Sequence, residues 1–301
     1  MNARSRLLKI LCAPHFSCDH IIYTVRMKPS TFLSSLALIG PTALTAAQTL
    51  NIVAHQDDDI LFISPEILSD VRSGRAVRTI FLTAGDAGNG EAYWTSRQAG
   101  SLAAYAEILG VSNEWDEGDA GIEGFDIPVY SLSAQPQVEL AFLHLPDGNM
   151  DGQGFPATGG VSLRQLWEGD IESLGTVDAS GTTYTKDELI DVLADIIENF
   201  EPDRINTLDY VNDIGDGDHS DHYTTGYFTD HASQEADNDA DLVGYMGYGI
   251  NNLPVNLDAN TIADKKNIFY TYAAHDSATC QNDAACASRP EINWLQRQYT
   301  V

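Results

Sequence analysis

Two rhythms of apolar positions alternate along residues 48–301. Short runs rich in β-branched and aromatic side chains occur at Leu50–Ala54, Arg78–Thr83, Val138–Leu145 and Arg204–Leu208, as expected of buried strands. Between them lie stretches of helical period. Trp94–Leu109 is one, stopped by Gly110, and Lys186–Phe200 is another, with Thr185 as cap and Glu188 closing a capping box. Strands alternating with helices predict an α/β chain with a parallel sheet and helices on both faces. Further on, Asp221–Ala236 is expected to be helical and Leu242–Ile250 extended. Asp264–Ala274 is expected to be a late helix packing through Ile268, Phe269 and Tyr272. The Gly-rich stretch 148–160 reads as a long loop, and such loops in compact domains are often functional. With no internal repeat, a single domain over 48–301 is the economical reading.

Charge narrows the partners. Sixteen Lys and Arg against 44 Asp and Glu give a net −28, which disfavours nucleic acid and anionic membrane surfaces. The first 47 residues read as an address. Met27-Lys28 starts a basic segment, Phe32–Leu44 is small and apolar, and Thr45-Ala46-Ala47 fits a cleavage site. On this reading residues 27–47 are a signal peptide, Met27 is a candidate start, and the mature domain is secreted. Losing residues 1–47 removes five basic residues and one acidic, leaving 11 against 43, or −32. The apolar stretch is too short and broken for stable membrane insertion. Cys12 and Cys18 fall in the discarded part. The remaining pair, Cys280 and Cys286, is expected to form a disulfide closing a surface loop.

The chemistry gathers behind two strands. His55-Gln56-Asp57-Asp58-Asp59 follows the first, and carboxylates this close repel one another unless a cation compensates. Gly217-Asp218-His219-Ser220-Asp221-His222 comes after the strand at 204–208. Taken singly, the first cluster reads as a solvated acidic turn and the second as a helix start. Parallel strand ends, however, lie side by side at one sheet edge, so the two can converge. Together they offer enough imidazoles and carboxylates for a catalytic zinc with three protein ligands and one open position. His144, His231 and His275 read as packing or surface residues. Trp94 and Trp115 flank the Arg97 helix and are candidates for sugar stacking, whereas Tyr93, Tyr105 and Trp167 read as core. Tyr245, Tyr248, Tyr270 and Tyr272 also read as core, with one reaching the pocket.

The ordered set of motifs resembles the PIG-L/LmbE family of zinc-dependent de-N-acetylases. Its A-H-P-D-D-E motif reads Ala54-His55-Gln56-Asp57-Asp58-Asp59 here, and H-x-D-H reads His219-Ser220-Asp221-His222. The likeness extends to Leu82–Asp86, Arg97, Ala106–Val111, Pro146-Asp147-Gly148 and Glu201-Pro202-Asp203. It implies a Rossmann-like, mostly parallel α/β sheet, with one zinc bound by His55, Asp58 and His222. Asp57 would be the general base acting on the metal-bound water. His219 would stabilise the oxyanion or protonate the leaving amine, oriented by Asp221, and Arg97 and Asp147 would contact substrate. The chain departs from the family at Gln56 (usually Pro), Asp59 (usually Glu) and Gly100 (often an acid). The function implied is removal of an acetyl group from an N-acetylated saccharide such as an N-acetylglucosamine glycoconjugate, with the charge disfavouring phosphoinositides. Two other readings stay open: a carbohydrate-binding protein that keeps the fold and metal, and an amidase acting on a non-sugar metabolite.

Overall fold

The computed structural model describes residues 47–301; the signal-like segment, Met27, Cys12 and Cys18 lie outside the described residues. The chain begins with β1 (Gln48–Val53), a π-helical turn (Asp59–Ile63), α1 (Glu66–Ser73), β2 (Ala76–Thr83) and α2 (Glu91–Leu109). Next come β3 (Trp115–Asp119), β4 (Pro128–Leu132), β5 (Gln135–Leu145), α3 (Leu163–Glu168) and a small hairpin, β6 (Leu174–Gly175) with β7 (Thr183–Tyr184). The remainder is α4 (Lys186–Phe200), β8 (Arg204–Leu208), α5 (Ser220–Glu235), β9 (Asp241–Tyr245), α6 (Ala259–Ala273), α7 (Asp283–Cys286) and α8 (Glu291–Trp294).

The main sheet has the order β3-β4-β5-β2-β1-β8-β9. Strands β5, β2, β1, β8 and β9 are mutually parallel, and β4 and β3 extend one edge antiparallel. This is the expected mostly parallel α/β sheet. Its two faces carry separate cores because side chains alternate along each strand. Leu50 and Ile52 pack with Ile80, Leu193 and Phe228 on one face. Val53 packs with Phe81, Phe142, Phe269 and Tyr272 on the other. The order reverses at β1: the chain winds out to β5, then crosses back to β8. The carboxyl ends of β1 and β8 therefore flank a crevice, the place where open α/β sheets bind ligands.

The helix over 186–200 carries the expected capping box at Thr185 and Glu188. The expectation of extended chain over Leu242–Ile250 is corrected: β9 ends at Tyr245 and a 3-10 turn occupies Tyr248–Asn252. The Tyr248 amide donates to Asp218 Oδ1 at 3.0 Å, which diverts the chain toward the crevice. Strand β3 (WDEGD) had no apolar run to reveal it, since it is an edge strand facing water, and β4 (PVYSL) buries only Val129 and Leu132. Gly100 has a packing reason: a Cβ there would lie 2.8 Å from the Tyr272 carbonyl, so α2 and α6 approach too closely for a side chain.

The fully buried Lys265 ties the C-terminal segment to the turn after Ile63. Its Nζ donates to the carbonyls of Arg297 (2.8 Å), Trp294 (3.1 Å) and Ser64 (3.4 Å). Lys265→Met keeps the aliphatic volume and removes the donor. We expect a stability loss of about 1–3 kcal/mol in denaturant titration, the cost of leaving buried carbonyl acceptors unsatisfied. A shift below about 0.5 kcal/mol, the range of neutral surface changes, would show that the tether contributes nothing.

Candidate active site

The loop after β1 and the first turn of α5 meet at the crevice. His55 and Asp58 come from the first, and His219, Asp221 and His222 from the second; all five are buried. Donor atoms of His55, Asp58 and His222 lie within 4.8 Å of one another, so this cluster can hold a metal ion. Asp58 stands between the histidines, with Oδ2 3.2 Å from His55 Nδ1 and Oδ1 3.0 Å from His222 Nε2. The same Oδ2 accepts from the His55 amide at 2.6 Å, which fixes the carboxylate. His55, Asp147, His219 and Asp221 form a second group of similar compactness.

The first group fits a divalent ion better on chemical grounds. His222 Nδ1 is bonded to Asp218 Oδ1 at 2.8 Å, while its buried Nε2 faces Asp58 Oδ1 at 3.0 Å, a neighbour within the same cluster. An imidazole pinned through one nitrogen with the other turned into the cluster is the usual posture of a metal ligand. The charges agree. Burial opposes protonation of His222, yet Asp218 and Asp58 push it up to about 10. Burial likewise opposes a charge on His55, and Asp58 and Asp221 override it, raising His55 well above its ordinary range. Without a metal the two imidazolium rings supply the positive charge these carboxylates require. A metal would displace both protons.

Asp57 points the other way. Its Oδ1 accepts from Arg97 Nη2 at 2.9 Å, and burial, opposed by Arg97, lifts its carboxyl to about 6. Arg97 is itself held by the Gly85 carbonyl (2.7 Å), the Tyr272 hydroxyl (2.7 Å) and Asp276 (3.1 Å). His219 caps α5: its Nδ1 accepts from the Asp221 amide at 3.2 Å, so the proton of the neutral ring sits on Nε2. Burial and the neighbouring His55 lower His219 to about 4. Nε2 lies 3.7 Å from Asp147 Oδ1. The Asp221 carboxylate is closer to His55 Nε2 (3.2 Å) than to His219 Nδ1 (3.7 Å), so it is the Asp221 backbone that orients His219. Asp147 faces both His219 and His55, the latter at 3.9 Å.

His55, Asp57, Arg97, Asp147 and His219 border a cavity of about 290 Å3, closed on one side by Asn149, Met150 and Phe155 of the Gly-rich loop and on another by Tyr248. Trp94 and Trp115 border neither this cavity nor the larger cleft beside it. Trp94 is buried against His144, and Trp115 packs beside the core. His144 is held by Gln98 and Asp178. Asp59 turns away from the site and accepts from Tyr105 at 2.7 Å, and burial lifts its carboxyl to about 7. Gln56 is also buried, donating to the Thr83 carbonyl.

Three residues near the site escaped the sequence reading of roles, Asp218, Asp276 and Trp294, whereas Tyr248 is the one of the four grouped tyrosines that borders the cavity. Only Asp218 had a signal, its spacing of four before His222. Gly247 lets the Tyr248 turn sit on that pair, since a Cβ there would meet Asp218 Oδ2 and, at 2.7 Å, His222 Nδ1. Asp218→Asn is expected to weaken metal binding about 10- to 100-fold in a chelator competition, the usual effect of losing a ligand's outer partner. Unchanged affinity would show that Asp218 does not set the His222 ring.

No curated relative matches the chain. Solved structures that it resembles include a teicoplanin deacetylase in a zinc-inhibited form (15% identity, TM-score 0.45, covering 82% of this chain and 89% of that one). Another is the N,N'-diacetylchitobiose deacetylase of Pyrococcus horikoshii (14%, TM-score 0.43, 81% and 74%). A third is GalB, the 4-carboxy-2-hydroxymuconate hydratase of Pseudomonas putida (13%, TM-score 0.42, 80% and 88%). Likeness at this level says nothing of what this chain acts on. The family model is a different matter, because it spans both motifs and most of the sheet. Matched over residues 50–233 by the model described as PIG-L, GlcNAc-PI de-N-acetylase, the chain belongs to the PIG-L family.

Proposed function

We propose that the protein is a zinc-dependent N-deacetylase of N-acetylated amino sugars, of the N-acetylglucosamine type. The observation that carries this reading is the buried His55–Asp58–His222 set, with His222 pinned at Nδ1 by Asp218 so that its Nε2 turns into the set, directly beside Asp57. His55, Asp58 and His222 would hold the ion. When bound, zinc supplies Lewis-acid polarisation of an acyl oxygen and lowers the pKa of a water.

The remaining work falls to side chains. Asp57, steadied by Arg97, accepts the proton of the attacking water. His219, neutral and with its proton on Nε2, donates a hydrogen bond to the acyl oxygen as negative charge develops there. The amide C–N bond breaks, and the amine leaves with the proton that Asp57 took up. The products are acetate and a free amino sugar. Asp147 holds the cavity side of His219, and Asn149 and Met150 limit the space open to water. Export is part of the same reading. The Cys280–Cys286 disulfide supports it, since such bonds persist in oxidising compartments. Its sulfurs are buried in the core rather than placed on the surface. Among the described residues no helix is long and apolar enough to cross a membrane.

Acetate release from N-acetylated saccharides, measured before and after chelation and after zinc is restored, tests the reading. Release that is lost and regained with the metal supports it. Release that survives chelation would remove the metal from the mechanism, and a metal-loaded protein inert toward every acetylated amine would favour the binding-protein reading.

A further inference from the structure

The reaction cavity opens onto something larger. Asp57, Arg97 and Tyr248 border both it and a neighbouring cleft of about 650 Å3, within the size range of small-ligand sites. The outer wall of the cleft comes from residues 248–252 and 276–294, beyond the residues 50–233 that the family model matches. That wall is braced. Tyr248 and Trp294 stack with centroids 4.6 Å apart and planes 9° from parallel. Asp276 accepts from the Ala278 amide at 2.9 Å, and the Cys280–Cys286 disulfide staples the turn that follows.

The charges lining the cleft select among ligands. Four carboxylates (Asp57, Asp216, Asp276, Glu291) and two arginines (Arg97, Arg289) give it a net −2. Both guanidinium groups already have partners: Arg97 pairs with Asp57 and Asp276, and Arg289 with Glu291 at 2.6 Å. An entering phosphate would meet like charge and could bind a guanidinium only by breaking one of these pairs. The other polar groups are neutral. Asn251, Asn252 and Thr279 line the cleft, and the enclosed Asn251 Oδ1 has no hydrogen-bond partner. Aromatic surface with neutral amides and carboxylates suits rings that bear hydroxyl and ammonium groups.

Building on the deacetylase reading, we propose that this cleft binds the saccharide units beyond the one being deacetylated, admitting neutral or amine-bearing sugar chains and rejecting phosphate-linked ones. The test is calorimetric binding of glucosamine, its β-1,4-linked trimer and glucosamine 6-phosphate to zinc-loaded wild-type protein at about 0.15 M salt, where long-range attraction is screened. None of the three carries an acetyl group, so the readout does not depend on turnover. The trimer is expected to bind about ten-fold or more tighter than the monomer, a difference of about 1.4 kcal/mol. Glucosamine 6-phosphate should bind no tighter than glucosamine. Ala278→Trp and Asn252→Trp, which fill the cleft from exposed positions, should each abolish the trimer's advantage. Equal affinities for trimer and monomer, or an advantage that survives both substitutions, would overturn the subsite, and preference for the phosphate would overturn its charge selectivity. Acetate release from the acetylated trimer is scored separately. Its absence alongside tight trimer binding would sink the deacetylase reading alone, whereas release without trimer preference would sink only the cleft assignment.

Discussion

Asp57→Asn, isolated with its metal in place, is expected to release acetate about 10³-fold more slowly than wild type, within the range that a positioned general base contributes. The substitution keeps the size of the side chain, and an asparagine Oδ1 can still accept from Arg97 Nη2, so the local geometry has little reason to change. What disappears is a site for the proton. Metal content should therefore match wild type, because Asp57 is absent from the cluster of His55, Asp58 and His222. Metal analysis and initial rates on the same preparation decide it. Turnover within a few-fold of wild type would move the base elsewhere, and Asp147, which also borders the cavity, would be the next candidate. An Asp147→Asn preparation run in parallel separates the two carboxylates.

Asp58→Asn should have the opposite signature, losing metal before it loses anything else. Asp58 contributes the carboxylate that both histidines face, at 3.2 and 3.0 Å. Its neutral replacement is expected to weaken metal binding by more than about 100-fold, the upper end for loss of an outer partner. The metal-free proteins should also differ in their response to pH. Folded His222 keeps its proton up to about 10, against an ordinary 6.5, burial being overcome by Asp218 and Asp58. A raised folded pKa adds stability that is fully present below about 6.5 and is lost as pH rises through about 10. Metal-free wild type should accordingly weaken across that interval, and Asp58→Asn should flatten the slope. Thermal melts of chelated protein at several pH values read this directly. A slope unchanged by Asp58→Asn would mean that Asp58 does not hold the His222 proton.

Much of this was legible in the chain. The apolar runs marked β1, β2, β5 and β8 to within a few residues, because strands buried on both faces must be apolar along their length. The capping box at Thr185 and Glu188 marked the start of α4. Strand β3 was not legible, since an exposed acidic edge strand has no apolar period to read, and β4 (PVYSL) is short, with only Val129 and Leu132 buried. Neither was the turn at Tyr248–Asn252, which depends on an Asp218 carboxylate about 30 residues earlier in the chain.

The division runs through the site itself. Local sequence determined which groups arrive together: His55, Asp57 and Asp58 behind one strand, and His219, Asp221 and His222 at one helix start. Their neighbours along the chain are a matter of covalent order. Tertiary structure decided what each group faces. It turned Asp57 to Arg97 and Asp58 to the histidines. It buried Asp59 at the end of a hydrogen-bonded chain running from Asn206 through Asn51, Thr79 and Tyr105. It set Asp221 nearer His55 than His219, and it brought Asp276, Tyr248 and Trp294 to a cleft beside Asp57. The physical reason is range. Spacing and period are properties of adjacent residues, whereas burial, charge pairing and the direction of a carboxylate depend on partners that only packing brings near.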